Sequence, residues 1–214
     1  MLNTSFEDIL NSQLFKTVGE TADALELETY AIGGFVRDHM LSRKRGNTDI
    51  DFVVIGSGIT LAKEVQKKLP KASKVQVFKT YGTAMLKWEG ISLEFVGARK
   101  ESYAPDSRNP EVSVGSLQDD QNRRDFTINA MAISLNANSY GKLLDPFNGI
   151  KDLEDGVLRT PLEPEMTYSD DPLRMLRAIR FASQLGFEIE KRSLDAIRKQ
   201  AQRISIITKE RCVE

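Results

Sequence analysis

The stretch IGGFVRD at residues 32–38, followed by DIDFVVI at residues 49–55, decides the fold class of this chain. An apolar run over 29–32 leads into the Gly-Gly step, a helix-like stretch covers 35–41, and a second apolar run follows. This order of strand, turn, helix and strand predicts an α/β fold with a small mixed sheet and helices against one sheet face.

The same stretch carries residues suited to binding metal and phosphate. Asp49 and Asp51 are two positions apart on a strand and share one face, where a divalent cation relieves their repulsion. Gly33 and Gly34 leave backbone N–H groups unshielded before a helix N-terminus, and Arg37 follows one turn later to hold phosphate oxygens. Taken alone, an Asp-x-Asp pair is also typical of a solvated strand end, and a Gly-Gly step of an ordinary turn.

Further elements extend outward from this stretch. An amphipathic helix is predicted over residues 5–27, with Ser5 as its cap. Downstream, the pattern predicts a helix over 60–69 and strands over 75–78, 83–88 and 91–96. The dipeptide Glu89-Gly90 is typical of a hairpin turn between the last two strands.

The second half of the sequence changes character twice. Residues 97–122 are polar with few periodic apolar positions, which predicts a mobile surface loop. Beyond Leu144 the apolar residues keep helical spacing, so we expect an all-helical part after a boundary at 144–149. Because the helical pattern still runs at Glu214, we expect the chain to be a fragment of a longer protein.

Composition restricts the possible ligands and compartments. With 30 Lys+Arg and 31 Asp+Glu, the formal net charge of -1 argues against a globally basic nucleic-acid binder. One Cys and one His exclude a disulfide scaffold and a His-rich metal site, so a bound metal would have the oxygen ligands that Mg²⁺ and Ca²⁺ prefer. Residues 1–10 lack the features of a secretory signal, and no apolar run reaches transmembrane length, so we expect a cytoplasmic protein.

Four ordered blocks carry a resemblance to a known family. Besides the opening stretch, they are RRDFTINA at 123–130, DPF at 145–147 and DDPLRMLRAIRFA at 170–182. Together they resemble the class II tRNA nucleotidyltransferase and bacterial poly(A) polymerase family, from about residue 30 to the end of the chain. The resemblance implies a polymerase-β-type nucleotidyltransferase head over 1–147 and a helical neck over 148–214, truncated before the body and tail domains.

The resemblance assigns roles in catalysis. In this family the Asp-x-Asp pair binds two metal ions, which implies that Asp49 and Asp51 are the metal ligands and that Mg²⁺ is the cofactor. Glu94 resembles the third catalytic carboxylate, although a solvent-facing strand residue would fit its position as well. Paired carboxylates beside a phosphate-binding turn suit nucleotidyl transfer, because two metal ions activate the attacking hydroxyl and offset the charge of the leaving pyrophosphate.

The second block resembles the ribose-contacting motif of the family. By this resemblance Asp125 would accept a hydrogen bond from a sugar hydroxyl, Arg124 would hold the triphosphate, and Asn129 follows one helical turn later. An Arg-Asp capping pair at the start of a helix is the alternative interpretation.

The fourth block, over residues 170–182, resembles the protein template that selects the incoming base. The resemblance maps the template pair to Asp171 and Arg174, which would share one face of a helix. Cytosine and adenine both offer an amino donor beside a bare ring nitrogen, so an Asp acceptor next to an Arg donor fits C and A and rejects G and U. The leading residue of the motif is usually Glu and is Asp170 here.

The remaining basic residues indicate contacts with phosphate. Arg177 and Arg180 resemble the triphosphate contacts of the family, although an arginine-rich helix face is often merely solvated. Basic residues also outnumber acidic ones over 174–203, and that segment would meet RNA phosphates.

We therefore expect an enzyme that adds CMP and AMP, from CTP and ATP, to the 3′ end of tRNA without a nucleic-acid template. The alternatives are a poly(A) polymerase, a partial enzyme that adds only CC or only A, and a noncatalytic nucleotide- or RNA-binding module. The predicted loop over 104–122 is the expected place of a difference between C and A addition.

Overall fold

The computed structural model describes residues 2–43, 49–79, 82–102, 111–208 and 210. The helices of this part of the chain are α1 (Glu7–Leu10), α2 (Gln13–Ala24), α3 (Gly34–Met40), α4 (Gly58–Lys68), α5 (Leu117–Asn122), α6 (Gly149–Asp155), α7 (Pro164–Asp170), α8 (Leu173–Leu185) and α9 (Lys191–Gln200). Its strands are β1 (Thr29–Ile32), β2 (Asp49–Val54), β3 (Gln76–Phe78), β4 (Thr83–Trp88), β5 (Ile91–Gly97), β6 (Arg99–Ser102), β7 (Glu111–Val114), β8 (Ala132–Ser134), β9 (Leu143–Leu144), β10 (Val157–Leu158) and β11 (Glu188–Ile189).

A seven-stranded sheet in the order β3-β4-β5-β2-β1-β8-β9 forms the centre of the molecule. Strands β2 and β5 run parallel, and the other neighbouring strands of this sheet pair antiparallel. The predicted α/β class with a mixed sheet is therefore confirmed. The hairpin between β4 and β5 is confirmed as well, and its turn residues Glu89 and Gly90 have φ angles of 48° and 80°, as a type I′ turn requires.

The main core lies on one face of this sheet. Phe52 of β2 stacks on Phe95 of β5 at 4.9 Å between ring centroids, and Phe15 of α2 meets Phe52 edge-on at 6.0 Å. Buried residues of α4, such as Leu61 and Val65, belong to the same apolar cluster. Since side chains alternate along a strand, Asp49 and Asp51 of β2 face the opposite side. The core therefore places the two carboxylates on the sheet face opposite α2 and α4.

The single helix predicted over residues 5–27 is wrong. The structure has α1 and α2 separated at Asn11 and Ser12, and Ser12 has an extended backbone with φ -66° and ψ 155°. Short polar side chains compete with helical backbone hydrogen bonds, which explains the break at an Asn-Ser pair. Ser5 is not the cap either, because α1 begins after Phe6 without a side-chain capping bond.

The loop predicted over residues 97–122 is also wrong for the part that the structure describes. Strands β6 and β7 pair antiparallel, and α5 follows with a capping box between Ser116 and Asp119. Gly115 lies against the backbone of β6, where a Cβ would come within 2.6 Å of Lys100 N. Residues 103–110 of the predicted loop lie outside the described residues.

The C-terminal part is helical, as predicted, with one departure. Helices α6 to α9 follow the sheet, and the two-residue strands β10 and β11 pair in parallel between them. The last strand of the sheet, β9, ends at Leu144, and the Asp145 carboxylate accepts hydrogen bonds from Gly149 N and Ile150 N at 2.6 and 2.9 Å. The division into two domains at 147/148 stays a prediction. No helix in the described ranges has the length and apolarity that crossing a bilayer requires.

Candidate functional site

A cavity of about 1140 Å³ joins the open face of the sheet to α8. It is lined by residues of β2, β4 and β5, of the segment between α5 and β8, and of α8. Of the thirteen site residues predicted from the sequence, all but Gly33 line it, namely Gly34, Arg37, Asp49, Asp51, Glu94, Arg124, Asp125, Asn129, Asp171, Arg174, Arg177 and Arg180. The fold thus brings together residues that are up to 146 positions apart in the sequence.

Three carboxylates lie on the sheet face of the cavity. Asp49 and Asp51 are two positions apart on β2, so their side chains lie on the same sheet face. Glu94 of β5 is paired with Asp51 in the parallel register. Burial raises the pKa of Glu94, Asp51 and Asp49 raise it further by repulsion, and Arg99 and Arg124 oppose the shift. Glu94 is half-buried among charged groups of the cavity, and its role as the third carboxylate stays a prediction.

The donor set of these residues suits a hard cation. Carboxylate oxygens are the ligands that Mg²⁺ takes from proteins, and mutual repulsion among them is relieved by a bound cation. Within the described ranges, no three acidic, histidine or cysteine side chains are close enough to enclose a metal ion. The protein thus offers an open carboxylate pair, and a metal bound there would take its remaining ligands from substrate and water.

The Gly-Gly turn differs in part from the predicted anion cradle. Gly33 has φ 82° and ψ -136°, a backbone conformation that favours glycine, and its N–H donates to Met131 O at 3.3 Å. A Cβ on Gly33 would lie 3.0 Å from Arg124 Nη1 and 3.5 Å from Asp51 Oδ2. Gly33 therefore gives room to a guanidinium, whereas Gly34 reaches the cavity itself.

Arg37 is directed into the protein rather than toward an open phosphate site. Its Nε and Nη2 donate to the two oxygens of Asp38 at 2.9 and 3.1 Å, and its Nη1 donates to Asn129 Oδ1 at 2.5 Å. Only 1% of Arg37 is exposed. The expected grip on phosphate is therefore not supported by its placement, because three of its nitrogens already have protein partners. Its contacts fix the orientation of Asn129 instead.

Asn129 continues a buried polar chain to Asp125. Its Nδ2 donates to Asp125 Oδ1 at 3.0 Å, and the backbone N–H of Phe126 donates to the same oxygen at 2.8 Å. The other oxygen, Oδ2, accepts from Arg177 Nε at 2.8 Å. Burial by itself would raise the pKa of Asp125, but Arg177 and Asn129 lower it below its ordinary value. The Arg-Asp capping alternative is wrong, because Asp125 pairs with a distant arginine of α8.

Arg124 has a partner that the sequence analysis missed. Its Nε and Nη2 donate to Asp120 Oδ2 at 3.2 and 3.0 Å, and Arg123 pairs with Asp120 Oδ1. Burial would lower the pKa of Arg124, but Asp120 and Asp51 raise it above its ordinary value. Asp120 lies three residues before Arg123 and four before Arg124, a spacing that indicates ion pairs on a helix. The sequence analysis missed it because it predicted a loop over 97–122.

Asp171 and Arg174 both line the cavity but do not share a helix. Asp171 follows the last residue of α7 with φ -137° and ψ 102°, and its Oδ1 accepts from Leu173 N at 3.1 Å. The expectation of one continuous helix is wrong because Pro172 disfavours helical backbone in the residue before it. Arg174 is the second residue of α8, mostly buried, and its Nη1 donates to Thr167 O at 3.3 Å.

The arginine face of α8 surrounds an aromatic ring. Arg37 and Arg177 place their Cζ atoms 4.9 and 5.2 Å from the ring centroid of Phe181, and Arg180 lies at 6.0 Å. Phe181 also meets Phe126 edge-on at 5.8 Å. Arg174, Arg177 and Arg180 all line the cavity, with Arg174 buried and Arg180 exposed, and the contact of Arg177 and Arg180 with the triphosphate stays a prediction.

The basic excess over 174–203 divides into two groups. The arginines of α8 reach the cavity, whereas Arg192 and Lys199 of α9 pair with Glu163 and Glu165 at 2.6 and 2.5 Å. These exposed ion pairs offset much of the charge that the sequence analysis assigned to RNA. The cavity is the more basic feature, because eight arginines and five carboxylates line it. Arg43, Arg99 and Arg123 are the members of this set that the sequence analysis did not predict.

Two family models match the sequence. The model described as the poly(A) polymerase head domain matches residues 29–159, which is more than half of the chain. A second model, described as a probable RNA- and SrmB-binding site of polymerase A, matches residues 186–214.

Curated proteins and solved structures show the same similarity. The chain is 44% identical over 181 residues to an A-adding tRNA nucleotidyltransferase of Aquifex aeolicus, covering 85% of this chain and 21% of that protein. It is 39% identical over 186 residues to a CCA-adding enzyme of Bacillus velezensis, covering 86% and 44%. A tRNA nucleotidyltransferase solved with a primer tRNA and an incoming ATP analogue superposes with a TM-score of 0.78 at 38% identity, covering 91% and 53%. The chain thus spans about half or less of the length of these relatives.

Proposed function

Because this chain belongs to the family of the poly(A) polymerase head domain, we propose that it catalyses template-independent addition of CMP and AMP, from CTP and ATP, to the 3′ end of tRNA. The observation that carries the proposal is the single cavity in which paired carboxylates, a cluster of arginines and the Asp171–Arg174 pair meet. The relatives named above as A-adding and CCA-adding enzymes support it. A tRNA substrate would place the protein in the cytoplasm.

In this proposal the base of the nucleotide lies beside Asp171 and Arg174. Asp171 accepts a hydrogen bond from the exocyclic amino group, and Arg174 donates to the bare ring nitrogen beside it. Guanine and uracil present a carbonyl and a ring N–H there, so both contacts would be repulsive. Arg174 is held by Thr167 O, and such fixed placement supports discrimination between bases.

The phosphates would lie between the arginines and the strand β2. Arg124, Arg177 and Arg180 supply positive charge around the cavity, and Asp49 and Asp51 face them from the sheet. Mg²⁺ held by these two carboxylates, with Glu94 adjacent, would lower the pKa of the attacking 3′ hydroxyl and offset charge on the leaving pyrophosphate. The protein's own contribution is to orient the triphosphate by charged donors so that hydroxyl and pyrophosphate lie in line.

The test is the affinity of the chain for each of the four nucleoside triphosphates in the presence of Mg²⁺. We expect CTP and ATP to bind several-fold more tightly than GTP and UTP, and Asp171→Ala and Arg174→Ala each to abolish the preference. Matched controls are Asp195→Ala and Arg198→Ala, because these two residues also stand three apart but form an exposed pair outside the cavity. Equal binding of all four nucleotides would contradict base selection at this site and favour a noncatalytic nucleotide-binding module.

A second candidate is an enzyme that adds only the terminal A. The identity of 44% to an A-adding tRNA nucleotidyltransferase favours it. Primer extension separates the candidates: tRNA lacking CCA, tRNA ending in C and tRNA ending in CC are each supplied with CTP or ATP. Use of CTP on the first two substrates supports CCA addition, whereas extension of only the third with ATP supports A addition. Repeated AMP addition to any RNA would indicate a poly(A) polymerase.

A further inference from the structure

Asp120 is a fully buried carboxylate at the wall of the cavity that the proposed function leaves without a role. It lies on α5 with 0% of its surface exposed, yet it does not itself line the cavity. Both of its oxygens are engaged by arginines: Oδ1 by Arg123 and Oδ2 by Arg124. Because the arginines follow at positions i+3 and i+4, one turn of helix brings both guanidiniums to a single carboxylate.

The contacts determine which edge of Arg124 is available to a ligand. Its Nε and Nη2 donate to Asp120 at 3.2 and 3.0 Å, which occupies one side of the planar guanidinium. The remaining nitrogen, Nη1, lies 3.0 Å from the point where a Cβ of Gly33 would stand, and Asp51 Oδ2 is 3.5 Å from that point. Side-on pairing with Asp120 therefore directs the Nη1 end of Arg124 toward the carboxylates of β2.

The positive charges of Arg123 and Arg124 require an anionic partner such as Asp120. Arg123 and Arg124 are adjacent in sequence, and 18% and 16% of their side chains are exposed. Two guanidiniums in so little solvent repel each other, and a shared anion offsets that repulsion and fixes the direction of both groups. Burial would raise the pKa of Asp120, but Arg124 and Arg123 lower it, so the carboxylate is ionised at neutral pH.

We propose that Asp120 is a positioning residue, which holds Arg123 and Arg124 at the cavity wall in the orientation that binds the β- and γ-phosphates of the nucleotide. The inference rests on the proposed function, because it assigns a polyphosphate to this end of the cavity. Asp120 does not touch the nucleotide. Its effect passes through the two arginines, as a carboxylate behind a ligand-binding side chain fixes that side chain's geometry.

A purely structural role for Asp120 would have a different consequence. Helix α5 is held independently of Asp120, since Ser116 and Asp119 form its capping box and Gln121 Nε2 donates to Ala130 O at 2.7 Å. If Asp120 served only to stabilise α5, its replacement would weaken the binding of all nucleotides alike. If it positions the two arginines, its replacement would weaken ligands in proportion to their phosphates.

The experiment compares the affinities for CTP and CMP, with Mg²⁺, in the wild-type chain and in Asp120→Asn, which keeps the shape and removes the charge. We expect CTP to bind at least about tenfold more weakly to the variant and CMP to bind within about threefold of wild type. The ratio of the dissociation constant for CMP to that for CTP should therefore fall. An unchanged ratio in a folded variant overturns the proposal, whether or not both affinities decline.

The matched control is Asp119→Asn, a partly exposed neighbour whose carboxylate bonds Ser116 in the capping box of α5, while only its backbone carbonyl accepts from Arg123 N–H. Its ratio should equal that of wild type, and a fall as large as that in Asp120→Asn would overturn the assignment to Asp120. If circular dichroism shows that Asp120→Asn is unfolded, Asp120→Glu is measured instead, because it retains the charge and displaces both arginines by one methylene. An unchanged ratio there overturns the proposal equally. Should wild type bind CTP no better than CMP, the proposed function itself fails.

Discussion

Asp125 and Arg177 form an ion pair, 2.7 Å from Oδ2 to Nη2, that ties the segment after α5 to helix α8. Fifty-two positions separate them in the sequence. The two residues expected to meet the ribose and the triphosphate therefore meet each other. Asp38, Arg37 and Asn129 lead by hydrogen bonds to the same carboxylate, so this pair ends a chain of hydrogen bonds that runs from α3 to α8.

Arg177→Ala should lower the free energy of unfolding by about 1–3 kcal/mol, because it leaves the mostly buried Asp125 carboxylate without its charged partner. In a double-mutant cycle with Asp125→Asn, the coupling energy should reach about 0.5–3 kcal/mol. Urea unfolding followed by circular dichroism gives all four values. The exposed pair of Asp195 and Arg198 is the control and should couple by only about 0.2–1 kcal/mol. Equal coupling in the two cycles would contradict a special role for the buried pair.

The stability contributed by Asp125 should vanish in acid. Its pKa in the folded chain lies below the ordinary 3.8, so the unfolded chain binds the proton first as the pH falls. The contribution is thus complete above about pH 4 and declines as the pH falls through the lower folded pKa. The measurement is the difference in unfolding free energy between wild type and Asp125→Asn from about pH 6 to about pH 2.5. A difference that grows toward acid pH would show the opposite sign and refute the pairing.

Mg²⁺ should stabilise the chain through Asp49 and Asp51. At a concentration about 100 times its dissociation constant, a ligand specific to the folded state adds about 2.7 kcal/mol. We expect the thermal midpoint of wild type to rise with Mg²⁺ and to fall back with EDTA, and Asp49→Asn or Asp51→Asn to lose most of that rise. Asp155→Asn, in an exposed pair with Lys151, should respond to Mg²⁺ like wild type. A full response in both strand variants would exclude the carboxylate pair as the metal site.

Gly33→Ala should be destabilising and should also weaken CTP binding. The φ of 82° strains any residue with a Cβ by about 1–3 kcal/mol. The added Cβ would also press on Arg124 Nη1 at 3.0 Å and shift that guanidinium. Gly90→Ala separates the two effects, because Gly90 has φ 80° and no atom within 4 Å of its Cβ position. Unfolding curves and CTP titrations of both variants should show lost stability in each and lost affinity only in Gly33→Ala.

Much of the fold followed from patterns over short stretches. Strands β1 and β4 have the predicted bounds, β2 and β5 differ from prediction by one residue at one end, and α3 is shifted by one residue at both ends. These elements have strong local signals, namely apolar runs next to Gly-Gly or Glu-Gly steps. The break between α1 and α2 and the hairpin of β6 and β7 were missed, because polar residues with little periodicity give no such signal.

The sequence by itself determined the chemical types at the site and their order along the chain. Twelve of the thirteen predicted residues line one cavity, since acidic pairs, glycine turns and arginine-rich helices carry their chemistry in the residue types themselves. Only the tertiary structure decided which charges face a ligand and which face each other. Arg37 donates hydrogen bonds to Asp38 and Asn129, Arg177 pairs with Asp125, and Arg124 pairs with Asp120. Ion pairing depends on distances of a few ångströms between groups that are remote in sequence, and chain folding alone sets those distances.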